Sequence, residues 1–131
     1  MQDQSPYEGL QGDIRKLRLP EIEVWANQYS DKRYDVEYTT DEFSSVCPKT
    51  GLPDYGTIRV GYVPDKSCIE LKSFKMYLLS YRDLGIFNEH AANRILEDLV
   101  SACSPWKASV EAEFMPRGGI SVRVKAEYTK E

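Results

Sequence analysis

The chain has 131 residues, 41% of them apolar, and a formal net charge of −4. That length suits one domain with one modest core, and the acidity argues against a general nucleic-acid or anionic-membrane binder, which carries a basic patch. No apolar run reaches the roughly 20 residues of a membrane-spanning helix, and the N-terminus lacks the apolar centre of a secretory signal, so a cytoplasmic protein is expected.

Residues 1–19 are polar, mixed in charge and weakly patterned, and are read as a mobile arm ahead of a single domain over 20–131. EIEVW, 21–25, is a short strand candidate. YDVEYT follows, with Tyr34, Val36 and Tyr38 on one face and Asp35 and Glu37 on the other, the period of two of a half-buried strand. Phe43 to Thr57 reads as a loop, punctuated by Pro48, Gly51 and Pro53. Alternation resumes in TIRVGYV, 57–63, through Ile58, Val60 and Tyr62. Leu71, Phe74, Leu78 and Tyr81 then recur at spacings of three and four, which predicts a helix over 71–84 with Gly85 as its stop. A second helix is predicted from Asn88 to Cys103, with Ala91, Ile95 and Leu99 inward, Asn88 as N-cap and Pro105 beyond its end. ASVEAEFM and ISVRVKAEY are two final strands, joined by the hairpin PRGG, 116–119. The order ββααββ predicts an α+β domain, an antiparallel sheet with two helices on one face. Its outer strands would be open edges, which pairing with other subunits would cover.

Three cysteines, at 47, 68 and 103, do not form a disulfide framework. A zinc site built from them and the single His90 would need ligands from distant segments, and no metal is expected. Cys47 shares a short loop with Lys49 and Asp54. As a small apolar residue it would pack under the loop; as a nucleophile it would need its thiolate favoured by nearby cations or helix ends. Asp54 is either a turn aspartate or a proton shuttle, and spacing leaves both open. Glu70, Lys72 and Lys75 sit on the first helix, where a solvated polar face or a ligand contact fits equally. Glu89 begins the second helix, where its charge suits the positive end; a carboxylate there can also accept two hydrogen bonds from a guanine-type edge. Arg117 beside Gly118 and Gly119 is a hairpin turn, or a place where backbone and guanidinium approach a phosphate.

Taken together, FSSVCPKTGLPDYGTI, ELKSFKMYLLSYR, FNEHAANRI and PRGGIS resemble the QueF family of NADPH-dependent nitrile reductases, from about Phe43 to Val122. The family's stretch E-(S/L)-K-(S/A)-hydrophobic-K-(L/Y)-(Y/F/W) is matched by ELKSFKMY except at Met76. The length resembles the single-module type. The resemblance implies the tunnelling fold, with subunits in stacked pentamers and sites between them. It implies Cys47 as nucleophile and Asp54 as proton donor. It implies Glu89 on the pyrimidine edge of the base, with Glu70 and its neighbours Ile69 and Leu71 on the other side of the pocket. Leu71, Lys72, Arg117 and Gly118 match segments placed at the cofactor, and Lys72, Lys75 and Arg117 are the candidates for its phosphates. Where the family usually has histidine this chain has Asn88, which can hydrogen-bond a base but cannot titrate near neutrality. His90, two positions on, points elsewhere on the helix.

The expected chemistry is conversion of 7-cyano-7-deazaguanine to 7-aminomethyl-7-deazaguanine, in queuosine biosynthesis, through a cysteine thioimide with two NADPH. No Rossmann glycine fingerprint is present, as a cofactor held in a subunit cleft implies. No direct nucleic-acid partner and no membrane are expected. The same fold offers alternatives: an amidinotransferase acting on deazaguanine-modified tRNA, a zinc-dependent cyclohydrolase, or a non-catalytic base-binding module.

Overall fold

The structure, a computed structural model, describes residues 13–130. Six strands and two helices follow in order: β1 (Val24–Ala26), β2 (Val36–Val46), β3 (Pro53–Val63), β4 (Ser67–Ile69), α1 (Leu71–Leu79), α2 (Asn88–Cys103), β5 (Lys107–Arg117) and β6 (Ile120–Thr129). The main sheet is antiparallel in the order β2-β3-β5-β6, and β1 pairs with β4 in a separate two-stranded ribbon. Both helices cover one face. Ile58, Val60, Tyr62, Val110, Ala112 and Phe114 point into the core against Phe74, Tyr77, Ile95 and Leu99. The expected α+β class is what the chain adopts, and the four strands of the main sheet with the two helices follow the expected ββααββ order, to which β1 and β4 are added.

The alternation that marked β2 changes parity along the strand. Before residue 40 the inward positions are even. Three residues of β2 then oppose two of β3, because Thr40 faces Ile58 while Phe43 faces Gly56. One extra residue is a β-bulge, and it flips every later side chain to the other face. Phe43 and Ser45 therefore face the helices, and Cys47 follows two residues on. Gly56 is required beside this bulge, since a Cβ there would lie 2.7 Å from the Glu113 carbonyl oxygen.

The loop expected over 43–57 is thus mostly strand, and the true connection is 47–52. The first helix is shorter than predicted. It ends at Leu79 and tightens into a 3₁₀ turn over Ser80–Asp83, keeping Tyr81 buried. Gly85 does not stop it; it makes a parallel bridge with Val46. The second helix has the predicted bounds, but Phe87 is its N-cap and Asn88 its first helical residue, with no side-chain cap bond. Ser104, at φ 45°, closes its other end with an N–H bond to the Val100 carbonyl.

Residues 1–12 of the expected arm lie outside the described residues. Residues 14–17 are held against α2 by buried Arg94, which donates to the Ile14 and Leu17 carbonyls and to Asp98. Asp98 also accepts from the Tyr77 hydroxyl.

Candidate active site

The end of β2 gathers one set of candidates. Val46 donates its N–H to the Leu84 carbonyl and accepts from the Ile86 N–H, both at 3.0 Å. This short parallel contact sets the start of α2, with Asn88 and Glu89, beside the loop that carries Cys47. The loop is closed by the Cys47 N–H bonding to the Leu52 carbonyl at 2.9 Å and the Gly51 N–H bonding to the Cys47 carbonyl at 2.8 Å. Burial alone would raise the Cys47 thiol. Hydrogen bonds from the Thr50 hydroxyl and from the backbone N–H groups of Thr50 and Lys49 outweigh it, and the thiol lies below its ordinary pKa despite the opposing charge of Asp54. A loop of N–H donors folded around sulfur favours the thiolate, as an anion nest does.

Asp54 stands opposite Ser45 in the β2–β3 register. Its carboxyl is shifted the other way: burial raises it, and only partly is this offset by Arg117, whose Nε lies 3.3 Å from Asp54 Oδ1. One strand end therefore holds a thiol eased towards its charged form and a carboxyl eased towards its neutral form. Two orphan polar atoms accompany them. Ser45 Oγ and Asn88 Oδ1 are buried without a hydrogen-bond partner. A buried acceptor left unpaired costs about 1–3 kcal/mol, so such atoms mark places where a ligand can donate. Glu89 and His90 are exposed on the first turn of α2, and the His90 ring meets Phe87 edge-on at 6.3 Å.

The second set lies at the other end of β2. The Ile69 N–H donates to the Tyr62 hydroxyl, and Tyr62 pairs with Val36 at the strand's start. Glu70 caps α1: its two carboxylate oxygens accept the Lys72 and Ser73 N–H groups, each at 2.8 Å. These bonds, that from Lys72 first, hold its carboxyl below the usual range. Each oxygen keeps a second acceptor position. Leu71, Lys72 and Lys75 are exposed. Leu71, Lys75 and Leu78 line a cavity of about 660 Å³ between α1 and β2, with Tyr38, Phe43 and Phe74 at its base.

The chain direction keeps these sets apart. The Phe74 ring packs tilted against Tyr38 and the Tyr81 ring tilted against Phe43, so α1 and the turn after it run alongside β2 from its start towards its end. Tyr38 to Val46 is roughly 25 Å of strand. Cys47, Asp54, Asn88, Glu89, Arg117 and Gly118 lie near one end; Ile69, Glu70, Leu71 and Lys72 lie near the other, with Lys75 one turn along α1. β2 and β6 are unpaired on their outer edges among the described residues.

Sequence reasoning missed Ser45 and Thr50. Thr50 lies inside the quoted CPKTG and its hydroxyl gave no distinguishing signal. Ser45 was hidden by the bulge, since unbroken alternation from Tyr38 would turn it outward.

Gly118 and Gly119, at φ 58° and 80°, form the two-residue turn that joins β5 to β6, and a Cβ at either would meet nothing within 4 Å. The turn is open enough for a phosphate to approach its backbone, with the Arg117 guanidinium adjacent. The exposed cations and this turn fit an anionic dinucleotide.

The family model described as "QueF-like protein" matches residues 53–131. A protein of Elusimicrobium minutum named NADPH-dependent 7-cyano-7-deazaguanine reductase is 56% identical over 113 residues, covering 86% of this chain and 85% of that one. One of the same name from Chlorobaculum tepidum is 58% identical over 109 residues, covering 83% and 93%. A solved structure described as the archaeosine synthase QueF-Like in the apo form superposes with a TM-score of 0.64 at 27% identity, covering 72% of this chain and 91% of that chain.

Proposed function

We propose, because this chain belongs to the QueF-like protein family, that it is an NADPH-dependent nitrile reductase converting 7-cyano-7-deazaguanine to 7-aminomethyl-7-deazaguanine. Relatives bearing that activity in their names are 50–58% identical over most of the chain. The archaeosine synthase relative, at 27%, is more distant, which favours reductase over amidinotransferase. The observation that carries the mechanism is the opposed adjustment of Cys47 and Asp54 at one strand end.

The proposed roles follow from those adjustments. The Cys47 thiolate adds to the nitrile carbon, forming the C–S bond as one C–N π bond breaks. Asp54 gives its proton to the nitrile nitrogen, leaving a covalent thioimide and an Asp54 carboxylate. Asn88 Oδ1 and Glu89 accept from donors on the base. NADPH, when bound, supplies the hydrides that take the nitrile to the amine. Arg117, with Lys72 and Lys75 from the other set, would hold its phosphates, and Gly118 and Leu71 would lie beside it. Because these sets stand at opposite strand ends, the site is completed by a neighbouring subunit in a homo-oligomer, and the cytoplasm, where NADPH is available, is its proposed location. No helix among the described residues is long and apolar enough to cross a membrane.

Intact mass after incubation with 7-cyano-7-deazaguanine and no NADPH tests this. The mass should rise by one ligand per chain, and added NADPH should release the amine. An unchanged mass at saturating ligand would sink the nucleophile assignment.

A further inference from the structure

Arg82 lies in the 3₁₀ turn that follows α1, and the roles proposed above leave it unused. Its side chain is 68% exposed, and the Asp83 carboxylate stands 4.0 Å from its Nε, beyond hydrogen-bonding distance and itself 91% exposed. Arg82 and Lys75 both line the cavity of about 660 Å³ between α1 and β2. Between these two cations lie Leu78 and Leu79, the latter half exposed, with Tyr38 on the floor. An apolar wall with a cation at each end suits a flat base that carries phosphate, and the volume is that of a small-molecule pocket. Glu37 and Glu42 line the β2 side, so a phosphate is confined to the helix side.

The helix also sets an order. Glu70, the N-cap of α1, belongs to the base pocket of the proposed reaction; Lys72 and Lys75 follow it, and Arg82 stands seven residues beyond Lys75, roughly 11 Å along the axis. A dinucleotide must bring its nicotinamide to the nitrile carbon, and hence to the Glu70 end. Its pyrophosphate then falls at Lys72 and Lys75, and its adenosine runs on towards Arg82. We propose that Arg82 grips the 2′-phosphate of that adenosine, with the base against Leu78 and Leu79, and so makes the enzyme select NADPH over NADH. This rests on the cofactor reading above and deepens it. A guanidinium suits the task, because its planar fork holds two oxygens of a phosphate monoester at once, where lysine offers only a point charge.

NADP⁺ and NAD⁺ differ only in that phosphate and deliver no hydride, so calorimetric titration of the full chain reads the contact without turnover, with NAD⁺ followed by its displacement of NADP⁺. The parent should bind NADP⁺ more tightly than NAD⁺. Arg82→Gln should weaken NADP⁺ roughly tenfold or more and leave NAD⁺ unchanged, so that the two affinities converge. Arg82→Lys should recover part of the loss. Lys75→Gln should weaken both ligands by the same factor, because the pyrophosphate is common to them. Equal weakening of both ligands by Arg82→Gln makes Arg82 a general phosphate contact and overturns the assignment. NADP⁺ binding that Arg82→Gln leaves intact overturns it too, as does a parent that binds the two ligands alike, and each of these leaves the cofactor reading standing. If the parent binds neither dinucleotide, the cofactor reading itself fails and the assignment with it.

Discussion

At the scale of single residues, the cysteines separate by environment. Cys103 is pushed up to about 12 by burial and offers no ready thiolate, and Cys68 is buried away from reagents. Cys47 is held low by its loop donors, Thr50 foremost among them. Alkylation by iodoacetamide should therefore fall on Cys47, with its half-maximal rate below the pH ~8.5 of an ordinary thiol. The sign is fixed: the thiolate reacts, so a lowered pKa moves the rising limb to lower pH. Asp54→Asn should move it lower still, because the repelling charge is removed. A limb at or above the ordinary value, read by peptide mass mapping, contradicts the loop's role. Asn88 and His90 invite a second test. The buried Oδ1 of Asn88 awaits a donor, whereas His90 lies exposed on the first turn of α2. His90→Ala should leave NADPH oxidation nearly unchanged, and Asn88→His should raise it. Severe loss in His90→Ala would mean that the histidine reaches the pocket.

At the scale of elements, periodicity placed both helices and the last two strands, because each buries one continuous face. It failed where one residue broke the period. The bulge between Thr40 and Phe43 carries no residue-type signal, yet it decides that Ser45 faces inward beside Asp54. It also turned an expected 15-residue loop into two strand ends and a short connection. The end of α1 was misjudged for a related reason: Tyr81 keeps its inward place through the 3₁₀ turn, so the pattern runs past the α-helix. Glu70 shows a residue whose local bonding was not foreseen. The residues alone leave it open between a solvated face and a ligand contact, the resemblance implies a pocket residue, and in the structure it caps α1 with both oxygens. Its depressed carboxyl means that the cap's contribution is present above the unfolded pKa of ~4.3 and is lost as pH falls through the folded value. Glu70→Ala should lower the melting temperature at pH 7 by roughly a few degrees, and the gap should close towards pH 3. An equal gap at both pH values would refute the charged cap. Arg94 was likewise invisible as more than a polar helix residue, though it ties the segment before β1 to α2.

At the scale of the whole molecule, the two candidate sets cannot meet within one chain. Cys47 follows the last residue of β2, while Glu70 sits near its first, roughly 35 Å away along the strand. The family resemblance implies one pocket for both sets, and the gap within a single chain is invisible to motif reading, since distance along a strand is only visible once α1 is laid beside β2. Two outward-facing edges, β2 and β6, are what a closed ring of copies would pair. Light scattering should accordingly find a large homo-oligomer, and an active monomer at assay concentration would refute shared sites. A stricter test asks whether the sites themselves are shared. Cys47→Ala removes the nucleophile from one set, and Glu70→Ala alters the other. Each variant alone should be nearly inactive if both sets serve one pocket. Dissociated, mixed in equal amounts and reassembled, a site between two subunits receives an intact Cys47 from one and an intact Glu70 from its neighbour by chance, restoring about a quarter of parental activity per site. Each recovered site must also coexist with a doubly altered one, so even strict alternation of the two variants could restore no more than about half, and random reassembly gives the quarter. If each chain held a complete pocket, no mixture of the two variants could recover, because every chain would carry one defect. Steady-state NADPH oxidation of the mixture against the unmixed variants therefore separates shared from private sites whatever geometry the copies adopt.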